Sequence, residues 1–216
     1  ITGSGDITGD ASGVVTAESL DTTGSTGAVT LLTLQSDELP TLNLGSGADD
    51  ITLTAASTAA DLTINFGGGD DTLTVAASVD ENASINFAFG DGDDTLELGI
   101  STLLTADLAS SDSATVTGLE NFHYTENTTL TTITVASSVI NNATYDLKDL
   151  GSGAGTVTLL VNAADESIDL SGLTVSAANA SGVADDSFVI DASVVAGDAI
   201  SAITGANVAK NTITTN

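Results

Sequence analysis

One short phrase occurs three times between Leu44 and Leu98, and it limits what this chain can fold into more than any other feature. Each copy places an apolar residue before Gly-x-Gly, an Asp four residues after the first Gly, and a second apolar residue two positions later. The copies are Leu44–Ile51, Phe66–Leu73 and Phe89–Leu96. They begin 22 and then 23 residues apart, a period that is typical of the stacked coils of a solenoid.

The residue types in this phrase indicate a cation site. Glycine permits positive φ and therefore a turn that exposes its backbone carbonyls. Aspartate adds an anionic oxygen, and Ca²⁺ takes six to eight oxygen ligands in a flexible shell. One turn offers too few oxygens, but two stacked turns share enough. The alternative, which the sequence leaves open, is three β-turns in which the Asp side chains cap the backbone without a metal.

The phrase predicts specific ligands. We expect the carboxylates of Asp49, Asp71 and Asp94 to bind Ca²⁺ between adjacent coils. The glycine carbonyls that would complete the shells are those of Gly45, Gly47, Gly67, Gly69, Gly90 and Gly92. Further acidic candidates are Asp70, Asp91, Asp93 and Asp186.

Strand patterns surround each copy. Apolar residues alternate with Thr, Asn or Glu in Leu62–Phe66, Leu73–Val75 and Leu96–Leu98, which is typical of half-buried strands. The three- and four-residue apolar spacing of helical solenoids is missing. We therefore expect an all-β chain with short strands in every coil.

The pattern weakens outside residues 41–100. We expect one elongated solenoid domain over 1–216, with a repeat core at 41–100, a possible bend or irregular insert at 101–130, and degenerate repeats at 131–216. In Leu150–Val157, Gly155 stands where the first copy has Asp49, so we expect a coil without a strong calcium site. A last copy near Asp186 has Ala184 in place of the second Gly.

Composition narrows the class of function. The chain has 30 acidic residues against two Lys and no Arg, a net charge of −28, which disfavours nucleic acid and anionic membranes as partners. No stretch is long and apolar enough to span a bilayer.

With no Cys and no Trp, and with Lys148 and Lys210 far from the repeats, we expect no enzyme. The single histidine, His123, is expected to be structural rather than catalytic.

The phrase resembles the calcium-binding G-G-x-G-x-D-x-U-x repeats of RTX proteins. The leading Gly of that motif is Leu44, Phe66 or Phe89 here, and the period exceeds two nonapeptides, which favours one row of calcium ions. The Thr- and Gly-rich flanks also resemble bacterial surface-layer proteins. The resemblance implies a right-handed parallel β-helix or β-roll with Ca²⁺ between its rungs.

The same resemblance implies a function. It suggests a structural component of a secreted bacterial surface layer, exported by type I secretion and assembled by calcium into a self-associating lattice. Cell-surface polysaccharide is a further expected partner, through a region outside this chain. The alternative is an RTX-type adhesin segment that binds glycan or another cell surface. Because the chain begins with Ile1, we expect a fragment or processed product.

Overall fold

The computed structural model describes the chain in thirteen stretches: residues 1–9, 19–35, 41–55, 61–76, 85–98, 114–124, 132–136, 142–149, 156–162, 167–176, 187–191, 202–204 and 212–214. Within these stretches every regular element is a β-strand.

The strands are short and are numbered in chain order. They are β1 (Thr2–Gly3), β2 (Ile7–Gly9), β3 (Leu20–Asp21), β4 (Gly24–Ser25), β5 (Val29–Gln35), β6 (Thr41–Asn43), β7 (Asp50–Ala55), β8 (Leu62–Asn65), β9 (Thr72–Val75), β10 (Ile85–Ala88), β11 (Thr95–Leu98), β12 (Ala114–Thr117), β13 (Asn121–Tyr124), β14 (Thr132–Ala136), β15 (Asp146–Asp149), β16 (Thr156–Asn162), β17 (Ser167–Asp169), β18 (Thr174–Ser176), β19 (Ser187–Asp191), β20 (Ala202–Thr204) and β21 (Thr212–Thr214).

All the strand pairings in the described residues are parallel, and the pairing order shows a solenoid. The largest sheet has eight strands in the order β18-β15-β13-β11-β9-β7-β5-β2, and a five-stranded sheet follows the order β12-β10-β8-β6-β3. From β6 to β13 the chain alternates between these two sheets. One coil therefore contributes one strand to each sheet, and we call each coil a rung. The predicted parallel β-helix or β-roll architecture is confirmed.

Alternation of side chains builds the core between the two sheets. In β9 and β11 the apolar residues are buried, while the Thr and Glu residues between them are only half-buried. β8 shows the same period of two, with Leu62 and Ile64 inside. Because parallel strands pair in register, each inward residue stacks on its equivalent one rung away. The core is therefore a set of apolar rows along the solenoid axis.

The apolar residue that opens each phrase belongs to one of these rows. Leu44, Phe66 and Phe89 are 2% exposed or less, and the rings of Phe66 and Phe89 stack with centroids 4.9 Å apart and planes 1° from parallel. This row fixes where the chain leaves the five-stranded sheet. The Gly-x-Gly turn that follows then carries it to the eight-stranded sheet.

The described part of the stretch at 101–130 continues both sheets. β12 pairs with β10, and β13 pairs with β11 in full register. The five-stranded sheet ends at β12, whereas the eight-stranded sheet continues through β15 and β18. The other strands after β13 form two separate sheets: a four-stranded one of β14, β16, β19 and β21, and the pair β17 and β20. The strand after the acid-free copy, β16, therefore lies in a different sheet from β7, the strand after the first copy.

Candidate metal centre

The Asp of each phrase occupies one position of the solenoid, immediately before a strand of the eight-stranded sheet. Strand register aligns Asp49 with Asp71, Asp71 with Asp94, and Asp94 with Glu120. We call these four acids the carboxylate row. In the rungs before Asp49 the equivalent position is occupied by Val29 and Ile7, and in the rungs after Glu120 it is occupied by Tyr145 and Leu173.

Hydrogen bonds join each acid of the row to the rung before it. The Asp71 Oδ1 atom accepts the backbone N–H of Asp49 at 2.7 Å, and the Asp94 Oδ1 atom accepts that of Asp71 at 2.8 Å. At the first rung, the Asp49 Oδ1 atom accepts the N–H of Val29 at 2.7 Å. Each carboxylate thus satisfies a buried backbone donor of the preceding rung, a role that needs no metal.

The second oxygen of each aspartate has no such partner. The Oδ2 atoms of Asp49, Asp71 and Asp94 are buried and accept no hydrogen bond from the described residues. The three residues are at most 1% exposed. A buried carboxylate oxygen without a partner carries a desolvation cost. The backbone hydrogen bond offsets that cost for only one of the two oxygens of each aspartate.

Burial also changes the acidity of these groups. Desolvation raises the pKa of Asp49 to about 6, against the opposing effect of the hydrogen bond from Val29. Desolvation raises the pKa of Asp71 to about 7, with smaller contributions from the charges of Asp49 and Asp94. The pKa of Asp94 is also raised, chiefly by burial. At neutral pH the row therefore needs a proton or a cation to offset its charge.

The glycines allow neighbouring turns to stack in close contact. A Cβ atom on Gly67 would lie 2.1 Å from the Gly45 carbonyl oxygen, and one on Gly90 would lie 2.1 Å from that of Gly67. Both residues also have positive φ, of 100° and 105°. Only glycine fits there, and its carbonyl oxygens follow one another along the stack.

Two separate reasons place glycine in the phrases. Positive φ, predicted for the whole motif, occurs at Gly67, Gly69 and Gly90. Gly45, Gly47 and Gly92 are not among the positive-φ residues. Steric contact explains them instead, since a Cβ atom at each would lie 2.0–2.4 Å from a carbonyl oxygen of the preceding rung.

The glycine carbonyls differ in how far they are already engaged. Gly45 accepts the N–H of Gly68 at 3.1 Å, and Gly67 accepts that of Asp91 at 3.3 Å. The carbonyls of Gly47 and Gly69 point at Gly69 and Gly92 of the following rungs, and no donor to them occurs among the described hydrogen bonds. Gly47 and Gly69 thus offer the freer carbonyl oxygens.

The weaker acidic candidates lie outside the row. Asp70, Asp91 and Asp93 are exposed. Asp70 Oδ1 accepts the backbone N–H of Asp93 at 3.1 Å, and Asp93 Oδ1 accepts the side-chain amide of Asn121 at 2.7 Å. Asp70 and Asp93 therefore belong to an outer, exposed ladder of hydrogen bonds and not to the buried row. Asp186 lies outside the described residues.

Glu120 belongs to the row but was not among the residues that the sequence singled out. Its Oε2 atom accepts the backbone N–H of Asp94 at 2.9 Å, the same relation that links the aspartates. Its phrase, Gly118-Leu119-Glu120-Asn121-Phe122, lacks the second Gly, so the motif spacing did not reveal it. The sequence signal that could have identified Glu120 is an acid directly before a strand with alternating apolar residues, Asn121–Tyr124.

The residues of the row fit Ca²⁺ in donor chemistry. Its donors are anionic and carbonyl oxygens, which are the ligands Ca²⁺ takes, and three buried carboxylate oxygens lack a partner. No group of three or more His, Cys, Asp or Glu side chains converges on one point among the described residues. The acids form a line, so a cation between two rungs would take two carboxylates and would need carbonyls as well.

The single histidine lies away from the row. His123 is on the outward side of β13, aligned with Glu97 of β11 and Lys148 of β15. Burial lowers its pKa, and the charge of Lys148 lowers it further. The side chain is therefore mainly neutral at pH 7. That His123 is structural rather than catalytic stays a prediction.

No protein-family model, curated protein or solved structure matches the chain. In the part of the chain that the structure describes, there is no helix with the length and hydropathy needed to cross a bilayer.

Proposed function

We propose that this chain is a calcium-stabilised structural segment of a secreted bacterial surface layer. One observation carries the proposal: acids from successive rungs meet inside the fold, and each aspartate keeps a buried oxygen without a partner. A purely structural turn has no need for three such oxygens, because apolar residues fill the same position in other rungs.

Calcium would supply charge neutralisation and cross-linking of rungs. Asp49, Asp71 and Asp94 would hold it, together with glycine carbonyls such as those of Gly47 and Gly69. Since the ligands come together only when the rungs stack, the free energy of binding becomes free energy of folding. The chain would stay poorly ordered where calcium is scarce, as in a cell before export, and would fold outside at millimolar calcium.

The surface-layer role is supported by the regularity and the charge of the molecule. A β-solenoid exposes flat sheets with a constant spacing between rungs, which suits repetitive contacts. With a net charge of −28, neighbouring copies repel each other unless divalent cations lie between them. Calcium would thus promote both folding and self-association into a lattice, without catalysis.

The adhesin alternative has less support. Glycan sites commonly use exposed aromatic rings, whereas the described aromatic side chains all lie in the core: Phe66, Phe87, Phe89, Phe122, Tyr124 and Tyr145. Binding to a glycan array with no ordered assemblies would favour the adhesin over the lattice role.

Circular dichroism with calcium and with EGTA tests the proposal most directly. We expect the strand signal to be lost in EGTA and to return with Ca²⁺ more than with Mg²⁺, which demands a smaller octahedral site. Electron microscopy should then show calcium-dependent ordered sheets. A strand signal that is identical in calcium and EGTA would contradict the proposal.

A further inference from the structure

The fourth acid of the row, Glu120, occupies the last rung before the position becomes apolar. It accepts the N–H of Asp94 just as Asp94 accepts that of Asp71, at 2.9 Å and 2.8 Å. Backbone bonds run beside this contact, because the N–H groups of Glu120 and Asn121 both donate to the Asp94 carbonyl. Both the side chain and the backbone of Glu120 are therefore hydrogen-bonded to the backbone of Asp94.

A shorter turn explains why this acid is a glutamate. Gly118 stacks on Gly90, since a Cβ atom on Gly118 would lie 2.7 Å from the Gly90 nitrogen. From Gly90 the chain needs four residues to reach Asp94, whereas from Gly118 it needs only two to reach Glu120. The extra methylene of Glu lengthens the side chain where the turn has been cut, and its carboxylate still reaches Asp94.

The two ends of the row differ. At the N-terminal end, Val29 is fully buried and closes the row with an apolar side chain. At the other end, Glu120 is exposed, while Tyr145 of the next rung is buried. The row therefore ends on an exposed carboxylate at Glu120, whereas Val29 closes its other end.

We infer that Glu120 is a fourth carboxylate ligand, and that it creates an additional cation position between its own rung and that of Asp94. The inference rests on the proposed calcium function. The independent observation is Asp94, whose buried Oδ2 atom has no hydrogen-bond partner among the described residues. The acids Asp49, Asp71 and Asp94 alone provide two gaps between rungs; Glu120 adds a third.

Terbium ions can test this position selectively, because the chain has no Trp and only two Tyr. Terbium is a hard cation that takes oxygen ligands, and its emission is sensitised by a nearby phenol. Tyr145 aligns with Glu120 one rung away. At about 4.8 Å per rung, it lies about 7 Å from the Asp94–Glu120 gap and about 17 Å from the Asp49–Asp71 gap.

We expect Glu120→Gln to lose most of the tyrosine-sensitised terbium emission and to bind one calcium ion fewer than the wild type by calorimetry. The Gln oxygen can still accept the N–H of Asp94, so the fold should persist, as circular dichroism in calcium can verify. Asp49→Asn, at the far end, should also bind one ion fewer but should keep the emission. Tyr145→Phe should lose emission while keeping the calcium stoichiometry.

A matched control is Glu97→Gln, which removes the same charge from the outward side of β11. It should keep both emission and stoichiometry. If Glu120→Gln kept the wild-type emission and stoichiometry, the inference would be overturned while the proposed function would stand. If wild-type protein bound neither terbium nor calcium, the proposed function itself would fail.

Discussion

The carboxylate row and its apolar flanks occupy the same position of the same solenoid, and they place different side chains there. Asp49, Asp71 and Asp94 are buried there, and so are Val29 and Leu173 in other rungs. The strands that follow this position pair in parallel from rung to rung, with a register shift only farther along the β5–β7 pair. The fold therefore accepts an apolar residue at this position, and the acids are present at a cost that folding alone does not require.

The comparison also separates two parts of the phrase. The glycines determine how closely neighbouring turns approach, whereas the acids determine what the buried line can bind. If this separation is right, changes to glycine should weaken the fold with or without calcium. Changes to the acids should alter mainly the dependence of folding on calcium.

The largest effect is expected from removing the charge of the row while keeping its hydrogen bonds. A triple variant with Asp49→Asn, Asp71→Asn and Asp94→Asn retains an oxygen that can accept each backbone N–H, but it has no carboxylate to neutralise. We expect it to keep its strand signal in EGTA, where the wild type loses that signal. Far-UV circular dichroism measures the difference.

The matched control for the triple variant removes three acids outside the row. Asp6, Asp50 and Asp146 are suitable because none has an unpartnered buried oxygen. Changing them to Asn should leave the chain dependent on calcium. Equal behaviour of the two triple variants would mean that total charge, and not the row, controls folding.

A large effect is also expected at Gly67. Gly67→Ala places a side chain at a φ of 100° and against the Gly45 carbonyl. The backbone conformation alone should cost about 1–3 kcal/mol of unfolding free energy. Urea unfolding in excess calcium measures the change.

The neighbouring Gly68 is the control for this prediction. A Cβ atom there would meet nothing closer than the Asp91 carbonyl oxygen, at 3.6 Å, and its φ is not positive. Gly68→Ala should therefore be nearly neutral. Equal destabilisation by the two variants would argue against close stacking as the reason for glycine.

The next effect is a dependence on pH in the absence of calcium. The pKa values of Asp49 and Asp71 are about 6 and about 7 in the fold, above the ordinary value of 3.8. The folded chain therefore binds more protons than the unfolded chain between about pH 4 and 7. Stability in EGTA should rise as pH falls through this range and should decrease as pH rises again.

Circular dichroism in EGTA from pH 8 to pH 4 checks this sign. The triple Asn variant has no titrating row, so its strand signal should change much less over the same range. A wild-type chain that loses strand structure as pH falls from 7 to 5 would contradict the assignment of a buried, charged row.

The smallest of these effects is expected from one acid. Asp71→Ala should weaken calcium binding more than a change at Asp49, because Asp71 borders two gaps of the row and Asp49 borders one. A loss of one carboxylate ligand worth about 1.4 kcal/mol corresponds to about tenfold in affinity. Calorimetry on Asp71→Ala and on the exposed neighbour Asp50→Ala should show this loss only for Asp71.

Much of the fold could be predicted from the sequence because its pattern repeats. The period of the phrase predicted stacked coils, and the alternation in Leu62–Phe66 and Leu73–Val75 predicted strands that the structure confirms. The same alternation occurs in strands of both large sheets, as in β8 and β9, so it does not specify a sheet. The Gly-x-Gly phrase has the same limit: Leu150–Val157 resembles the first copy, yet the strands that follow the two phrases, β16 and β7, lie in different sheets.

For the candidate site, the sequence alone determined which residues share a position, since copies of one phrase, 22 and 23 residues apart, bring Asp49, Asp71 and Asp94 into line. Only the tertiary structure decided that this line faces the interior, that each acid accepts a backbone N–H from the preceding rung, and that Glu120 extends it. The physical reason is that these contacts join residues 22 to 26 positions apart. Such contacts exist only after the rungs have stacked, so no local pattern in the chain records them.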